Sequence, residues 1–441
     1  MRRLIGAFLL GFFVMTTARA ADRTELKERR QRAASAFSDG VLLVHSRATI
    51  EYEADGYRED PAFFYFTGLE NAQPAILAID GKSGESRLFI AETKIPGGAV
   101  ANWALKPGVQ SAEHLGMEHV EDWSQLEKFL HDRAGSDSKV YYEPTEAQLP
   151  PNLSVGKDER APGWVQLLQQ KWPKLDFQPV GIKLFTLMAV QTPAEQEALR
   201  EAAQTTVQAV MAGIRSIAPG VSQRTVEIAV VQACWKAGAT GVAFWPWAMS
   251  GENGVFPKPF ESMVRYDHLD TTMKAGDLVR LDVGCEWGHY QGDLGRTIPV
   301  SGKYSAEQRE IWNLFVAAYQ AGVKQLREDN TEGQVFEAWK QELLSHRDKV
   351  KGALAMQAIE NWTERKNVPY WQMHTTNLEA GYIDGPLRAG MVIDFEPIAS
   401  VGGQGYYLED MFLITKDGAE KLTPGVPYSA EQIEEVISRK F

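Results

Sequence analysis

Cysteine is nearly absent: Cys234 and Cys285 are the only two in 441 residues. That excludes a fold built on a disulfide framework, and both are expected as buried thiols. Positive charge is in deficit, with 46 Lys and Arg against 58 Asp and Glu and a net charge of −12. Such a surface repels phosphate backbones, so nucleic acid is not an expected partner. Beyond the N-terminus no apolar run is long enough to cross a bilayer, which excludes a membrane span in the mature chain. Internal repeats and low-complexity tracts are missing as well. What remains, 44% apolar and 24% charged residues, is an ordinary globular composition with enough length for two or three domains.

The first twenty residues read as a signal peptide. Arg2 and Arg3 form a basic start, Leu4 to Val14 is a short apolar stretch, and Ala18-Arg19-Ala20 is a small-residue cleavage site. Cleavage after Ala20 is expected to export the protein, most simply to a bacterial periplasm. Loss of Arg2, Arg3 and Arg19 takes the net charge from −12 to −15.

Two pairs of acids stand out. Asp282 and Asp293 are placed symmetrically about Trp287-Gly288, and Glu396 and Glu409 about Gly402-Gly403. If those dipeptides are the turns, each pair faces across an antiparallel ladder. Gly-Gly is a strong signal for such a turn, since both central residues need positive φ. Facing residues have Cβ atoms about 5 Å apart, and two carboxylates at that separation repel by about 3 kcal/mol at an effective dielectric near 20. Solvated hairpin edges would relieve the repulsion, but the flanking residues are apolar. Glu396 shares its strand face with Val392 and Ile398, and also with Asp394; Glu409 shares its face with Met411 and Leu413. Buried acids need partners, and a bound cation would satisfy both pairs.

The organisation is mixed α/β. Residues 21–183 form an α/β domain: a helix over 24–37, short strands at 40–44, 75–79 and 86–90, a helix over 122–132 and a polar, Pro-rich loop over 146–163. A second domain spans 184–441. Thr192-Pro193-Ala194-Glu195 is a capping box that opens a helix running to about Ile217. Further helices are expected over 225–237, 305–327, 332–350 and from Ser429.

Four carboxylates and one imidazole suit two hard or borderline divalent ions. Mn²⁺ comes first, with Zn²⁺, Co²⁺ or Fe²⁺ as alternatives. Two such ions lower the pKa of a water held between them and polarise a carbonyl, which suits hydrolysis of an amide or ester. Of the eight histidines, His374 is favoured as the ligand because it shortly precedes the second hairpin, whereas His289 reads as a loop residue.

Five blocks carry a resemblance to a known family. Gly276-Asp277-Leu278-Val279-Arg280-Leu281-Asp282-Val283-Gly284 is one, and Gly292-Asp293-Leu294-Gly295-Arg296-Thr297 another. Gly390-Met391-Val392-Ile393-Asp394-Phe395-Glu396-Pro397, Leu408-Glu409-Asp410 and Asp60-Pro61-Ala62-Phe63-Phe64-Tyr65-Phe66-Thr67-Gly68 complete the set. Together they closely resemble the aminopeptidase P and prolidase branch of the pita-bread metallopeptidases, over nearly all of the mature chain. The resemblance implies a creatinase-like N-terminal α/β domain that shapes the substrate entrance, a C-terminal pita-bread domain, and a homodimer or homotetramer. It implies that Asp282 chelates one ion and that Asp293 and Glu409 bridge both. His374 and Glu396 would bind the second ion, with Glu396 also moving a proton from the bridging water to the leaving amine. The implied reaction removes an N-terminal residue that precedes proline, or cleaves an Xaa-Pro dipeptide.

Departures from the family pattern lie around this set. After Ser250-Gly251-Glu252-Asn253-Gly254 the family usually has a histidine; here Lys258 or Arg265 falls nearest. Tyr370 stands four residues before His374, and Thr375-Thr376-Asn377-Leu378 follows it without another histidine. Tyr407 occupies a place where arginine is common. Lys258, Arg265 and Tyr370 are therefore candidates for contacting substrate or the transition state. The competing expectation is a member of altered specificity, or a non-catalytic one that binds peptide and metal. Phe244, Trp245, Trp247, Phe256 and Phe260 offer either a surface for a proline ring or ordinary core.

Overall fold

The computed structural model describes residues 22–47, 58–70, 72–93, 101, 103–134, 139–144, 162–259, 261, 270–368, 370–378, 381–383 and 385–439. The signal segment, Arg265, Phe260 and most of the 146–163 loop lie outside them. The N-terminal half runs α1 (Arg23–Ala36), β1 (Gly40–His45), α2 (Pro61–Thr67), β2 (Ala75–Asp80), β3 (Ser86–Ile90), α3 (Val109–Leu115), β4 (His119–Asp122), α4 (Gln125–Arg133), β5 (Lys139–Tyr142), α5 (Gly163–Lys171), β6 (Asp176–Pro179) and α6 (Ile182–Met188). Its strands form one mixed sheet in the order β4-β3-β2-β1-β5-β6. The central strands are buried on both faces. Leu42, Val44, Leu77 and Ile79 enter one core, while Val41, Leu43, Ile76 and Ala78 enter the other, as a period of two demands.

The second half begins with α7 (Pro193–Ser216), whose Thr192–Glu195 capping box forms as the sequence predicts. It continues with α8 (Gln223–Lys236), β7 (Gly241–Val242), β8 (Trp247–Ser250), β9 (Leu278–Val283), β10 (Cys285–Trp287), β11 (Tyr290–Gln291) and β12 (Leu294–Pro299). Then come α9 (Ala306–Val323), α10 (Glu332–Ser345), α11 (Ala353–Trp362), β13 (Tyr370–Thr375), β14 (Gly381–Tyr382), β15 (Val392–Val401), β16 (Gln404–Tyr407), β17 (Asp410–Ile414), β18 (Ala419–Lys421) and α12 (Ala430–Ser438). The helix expected to reach 350 stops at Ser345, and α11 follows as a separate element with Ala358, Ile359 and Trp362 buried. Strands β8, β9 and β12 form one sheet, and β13 to β18 another. A single antiparallel bridge between Gly295 and Glu409 joins the two. The core packs helices on these sheets: Trp312, Trp339 and Trp362 are fully buried beside Phe395 and Tyr406.

Both hairpins form. The second turns at Gly402 (φ 60°) and Gly403 (φ 72°), with Val401 opposite Gln404, as expected. The first differs from expectation. It turns at Gly288 (φ 54°) and His289 (φ 74°), with Trp287 opposite Tyr290. The register is therefore two residues away from symmetry about Asp282 and Asp293: Asp282 faces Gly295. A shift of two preserves the face, so Asp293 is the diagonal neighbour of Asp282 rather than its partner.

The cysteines correct a second expectation. Cys234 on α8 and Cys285 on β10 are joined as a disulfide, Cα atoms 5.6 Å apart. Packing of α8 against β7 and β8, with β7 paired to β10, brings them within bonding range, a consequence of tertiary contact that their spacing in sequence does not reveal.

Candidate metal centre

Asp282 comes from β9, His374 from β13 and Glu396 from β15. Asp293 immediately precedes β12, and Glu409 lies in the two-residue break between β16 and β17. Both breaks fall where the two sheets meet, because Glu409 exchanges backbone hydrogen bonds with Gly295. Strand alternation puts His374, Glu396 and Glu409 on one face. Ligand atoms of Asp293, His374 and Glu409 lie within 4.8 Å of one another. His374 Nε2 is 3.7 Å from Glu396 Oε1 and 3.8 Å from Glu409 Oε1. The other ring nitrogen, Nδ1, is 3.2 Å from the Thr375 carbonyl. That contact orients the ring with Nε2 toward the acids.

Two further side chains hold the acids. Arg280, two residues before Asp282 on β9, donates through Nη2 to Asp282 Oδ2 at 2.8 Å. Its guanidinium lies over the Tyr407 ring, 4.3 Å from the centroid. The Tyr407 hydroxyl contacts Glu396 Oε2 at 3.2 Å and makes a close hydrogen bond to Glu409 Oε2. Gly295 makes room for that ring, since a Cβ there would collide with it. Tyr407 and Arg280 thus share the anchoring of three acids. The sequence marks Tyr407 only as a departure, and Arg280 goes unnoticed. The available signal is that each is a strand residue standing two positions before an acid.

Electrostatically the cluster is deficient in positive charge. Burial raises Asp282, Arg280 lowers it and Glu409 raises it again, leaving it at about 7. Asp293 and Glu396 are held well above the usual carboxylate range by burial and by Glu409. Burial alone would lower His374, but the Glu409 and Glu396 carboxylates raise it to about 9. Asp293 Oδ1 and Glu409 Oε1 are buried and have no hydrogen-bond partner among the described residues. Buried acids in such surroundings require protons or cations. Unpartnered oxygens of Asp and Glu beside an available imidazole nitrogen form a donor set suited to divalent metal ions.

For the remaining expected residues only local contacts are seen, or the residue lies outside the described ones. The Lys258 ammonium pairs with Glu252 at 3.3 Å on the surface. Tyr370 opens β13 and faces Ile398 in the ladder. His289 is a turn residue, as expected; it pairs with Glu70 at 2.9 Å and packs at a tilt against the Phe64 ring, tying the first hairpin to α2. Phe244, Trp247 and Phe256 are half-buried and Trp245 is 42% exposed, so none of these four is closed core.

Comparison with known proteins agrees with this architecture. The profile "Metallopeptidase family M24" matches residues 197–416, and "Aminopeptidase P, N-terminal domain" matches 26–141. The chain is 26% identical over 427 residues to "Intermediate cleaving peptidase 55, mitochondrial" of Arabidopsis thaliana, covering 93% of this chain and 82% of that protein. It is 25% identical over 445 residues to the "Xaa-Pro aminopeptidase" of Escherichia coli, covering 94% and 98%. Among solved structures, zinc-substituted E. coli aminopeptidase P with product superposes with a TM-score of 0.75 at 24% identity, over 96% of this chain and all of that one. With an N-terminal domain of the same kind followed by a pita-bread catalytic domain, the chain belongs to the aminopeptidase P family of metallopeptidases.

Proposed function

We propose that this protein is an exported, metal-dependent aminopeptidase that removes the N-terminal residue from peptides with proline in second place. The observation that carries the reading is the convergence of Asp293, His374 and Glu409, with two buried carboxylate oxygens left unpartnered. Asp282, Asp293, His374, Glu396 and Glu409 would hold two divalent ions, Mn²⁺ foremost. When bound, the ions supply Lewis acidity that acidifies a water and polarises the scissile carbonyl.

The chain's own residues do the rest. Glu396, beside His374 and within reach of the Tyr407 hydroxyl, accepts a proton from the attacking water and returns it to the leaving amine. Arg280 fixes Asp282, and Tyr407 fixes Glu396 and Glu409. Trp245 and the half-buried Phe244, Trp247 and Phe256 offer apolar surface for a proline ring. Lys258 or Arg265 would stabilise the developing oxyanion, and Tyr370 would donate a hydrogen bond.

A second reading, activity without a need for proline, is favoured by the surroundings of His374. Thr376 and Asn377 follow it as buried residues, and the Asn377 amide donates to the Met188 carbonyl. No second imidazole stands in this stretch. One experiment separates the readings: mass-spectrometric cleavage of peptide pairs differing only in Pro or Ala at position two, with metal-loaded and EDTA-treated protein. Cleavage of the proline members alone supports the first and cleavage of both the second. No metal-dependent cleavage of any peptide or Xaa-Pro dipeptide refutes both.

Export accords with the Cys234–Cys285 disulfide, which suits an oxidising compartment. Cell fractionation and N-terminal sequencing test it, with Ala21 expected as the first residue. Domains of 21–183 and 184–441 in a homodimer or homotetramer complete the proposal, and light scattering gives the subunit count.

A further inference from the structure

Asp394 is a buried acid that neither the five-residue ligand set nor the fold accounts for. It stands on β15, two residues before Glu396, and faces His374 on one side of the ladder and Met411 on the other. Alternation therefore places it on the face that carries His374, Glu396 and Glu409. It is 0% exposed, and among the described residues neither of its carboxylate oxygens has a hydrogen-bond partner.

Asp410 gives the contrast. It is equally buried and belongs to the neighbouring strand, yet its carboxylate is fully engaged. Arg296 donates at 2.8 Å, Lys421 at 2.7 Å and Thr423 at 2.8 Å. The protein thus supplies partners to a buried acid where the acid is structural. At Asp394 it supplies none, although an unpaired buried carboxylate is among the costliest groups a fold can carry.

Charge accounting points the same way. Asp282, Asp293, Asp394, Glu396 and Glu409 bring five negative charges, and Arg280, paired with Asp282, brings one positive charge. Two divalent ions beside a neutral His374 restore neutrality. We propose that Asp394 is a sixth protein ligand of the metal centre. It presents an additional anionic oxygen on the His374 side and biases the site toward hard, oxygen-preferring ions such as Mn²⁺ over Zn²⁺. This rests on the cluster being a metal centre and adds a ligand and a selectivity to it.

The test is metal binding by full-length wild type, Asp394→Asn and Asp293→Asn. Mn²⁺ and Zn²⁺ affinities come from competition with a chromophoric chelator, and stoichiometry from elemental analysis. Asp394→Asn is expected to weaken Mn²⁺ binding by about 10–100-fold and Zn²⁺ binding less, while the metal-free variant melts no lower than metal-free wild type. Wild-type-like affinity for both ions in Asp394→Asn, with Asp293→Asn impaired, overturns the proposal and leaves the metal centre standing. A metal-free Asp394→Asn that is less stable than wild type, or fails to fold, reveals a structural partner and also overturns it. Wild type that binds neither ion removes both the proposal and the reading beneath it.

Discussion

Metal uptake should be driven by pH, and His374 sets the lower bound on how steeply. In the metal-free protein its imidazole is held at about 9, because Glu409 and Glu396 outweigh the effect of burial. A metal ion needs the neutral ring, so at pH 7 binding must displace a proton. The rise from 6.5 to about 9 corresponds to roughly 3 kcal/mol of net preference for the imidazolium, its attraction to the acids less the cost of burial. The incoming ion has to replace that attraction. The sign follows directly: between about pH 7 and 9 the protonated ring competes with metal, and apparent affinity rises at least about tenfold per pH unit, more where Asp293 and Glu396 also carry protons. Below about 7 Asp282 is protonated too, and the slope steepens further. Above 9 the contribution of His374 vanishes. Calorimetry at pH 8 in buffers of different ionisation enthalpy counts the released proton directly, and chelator competition from pH 6 to 9.5 gives the slope. An affinity for Mn²⁺ that is flat between pH 7 and 9, with no proton released, would refute the placement of His374 among these acids.

Other outcomes follow from the same geometry. Asp293→Asn should reduce metal-dependent peptide cleavage to background with loss of at least one ion; full activity at normal metal content would remove Asp293 from the centre. Tyr407→Phe keeps the ring against Arg280 but deletes the donor to Glu409 and Glu396. It should cost about 1.5–3 kcal/mol of stability in EDTA-treated protein, seen as a lower urea midpoint, and an unchanged midpoint contradicts the hydrogen bonds. Reducing Cys234–Cys285, which lie 51 residues apart in sequence, should lower stability by about 4 kcal/mol on the chain-entropy estimate. A denaturation curve indifferent to reductant would argue against the bond. Gly295→Ala pushes a Cβ into the Tyr407 ring and should weaken Mn²⁺ binding without loss of secondary structure, measured by chelator competition and circular dichroism.

Much of the site is legible because its devices are local. Gly402-Gly403 announces its own turn, since two consecutive positive-φ residues do little else between strands. The first hairpin is harder, because His289 accepts a left-handed conformation that composition gives no reason to assign to it. The resulting error is two residues, and the period of a strand is also two, so Asp282 and Asp293 still share a face. Arg280 escapes notice for the opposite reason. Nothing local ties it to Tyr407, which lies 127 positions away in sequence and stacks on it only once β9 and β16 have met. The disulfide is hidden in the same way, since α8 and β10 come together only in the tertiary structure.

The sequence by itself determined the acids, their alternation, the second of their turns and hence the kind of ion they invite, because period and turn chemistry are properties of a few adjacent residues. Only the tertiary structure decided which of those acids are satisfied. Asp410 meets Arg296, Lys421 and Thr423, while among the described residues Asp394 and one oxygen each of Asp293 and Glu409 have no hydrogen-bond partner. Hydrogen-bond partnership is settled across strands, where two sheets join at Gly295 and Glu409, and spacing along one chain carries no record of it.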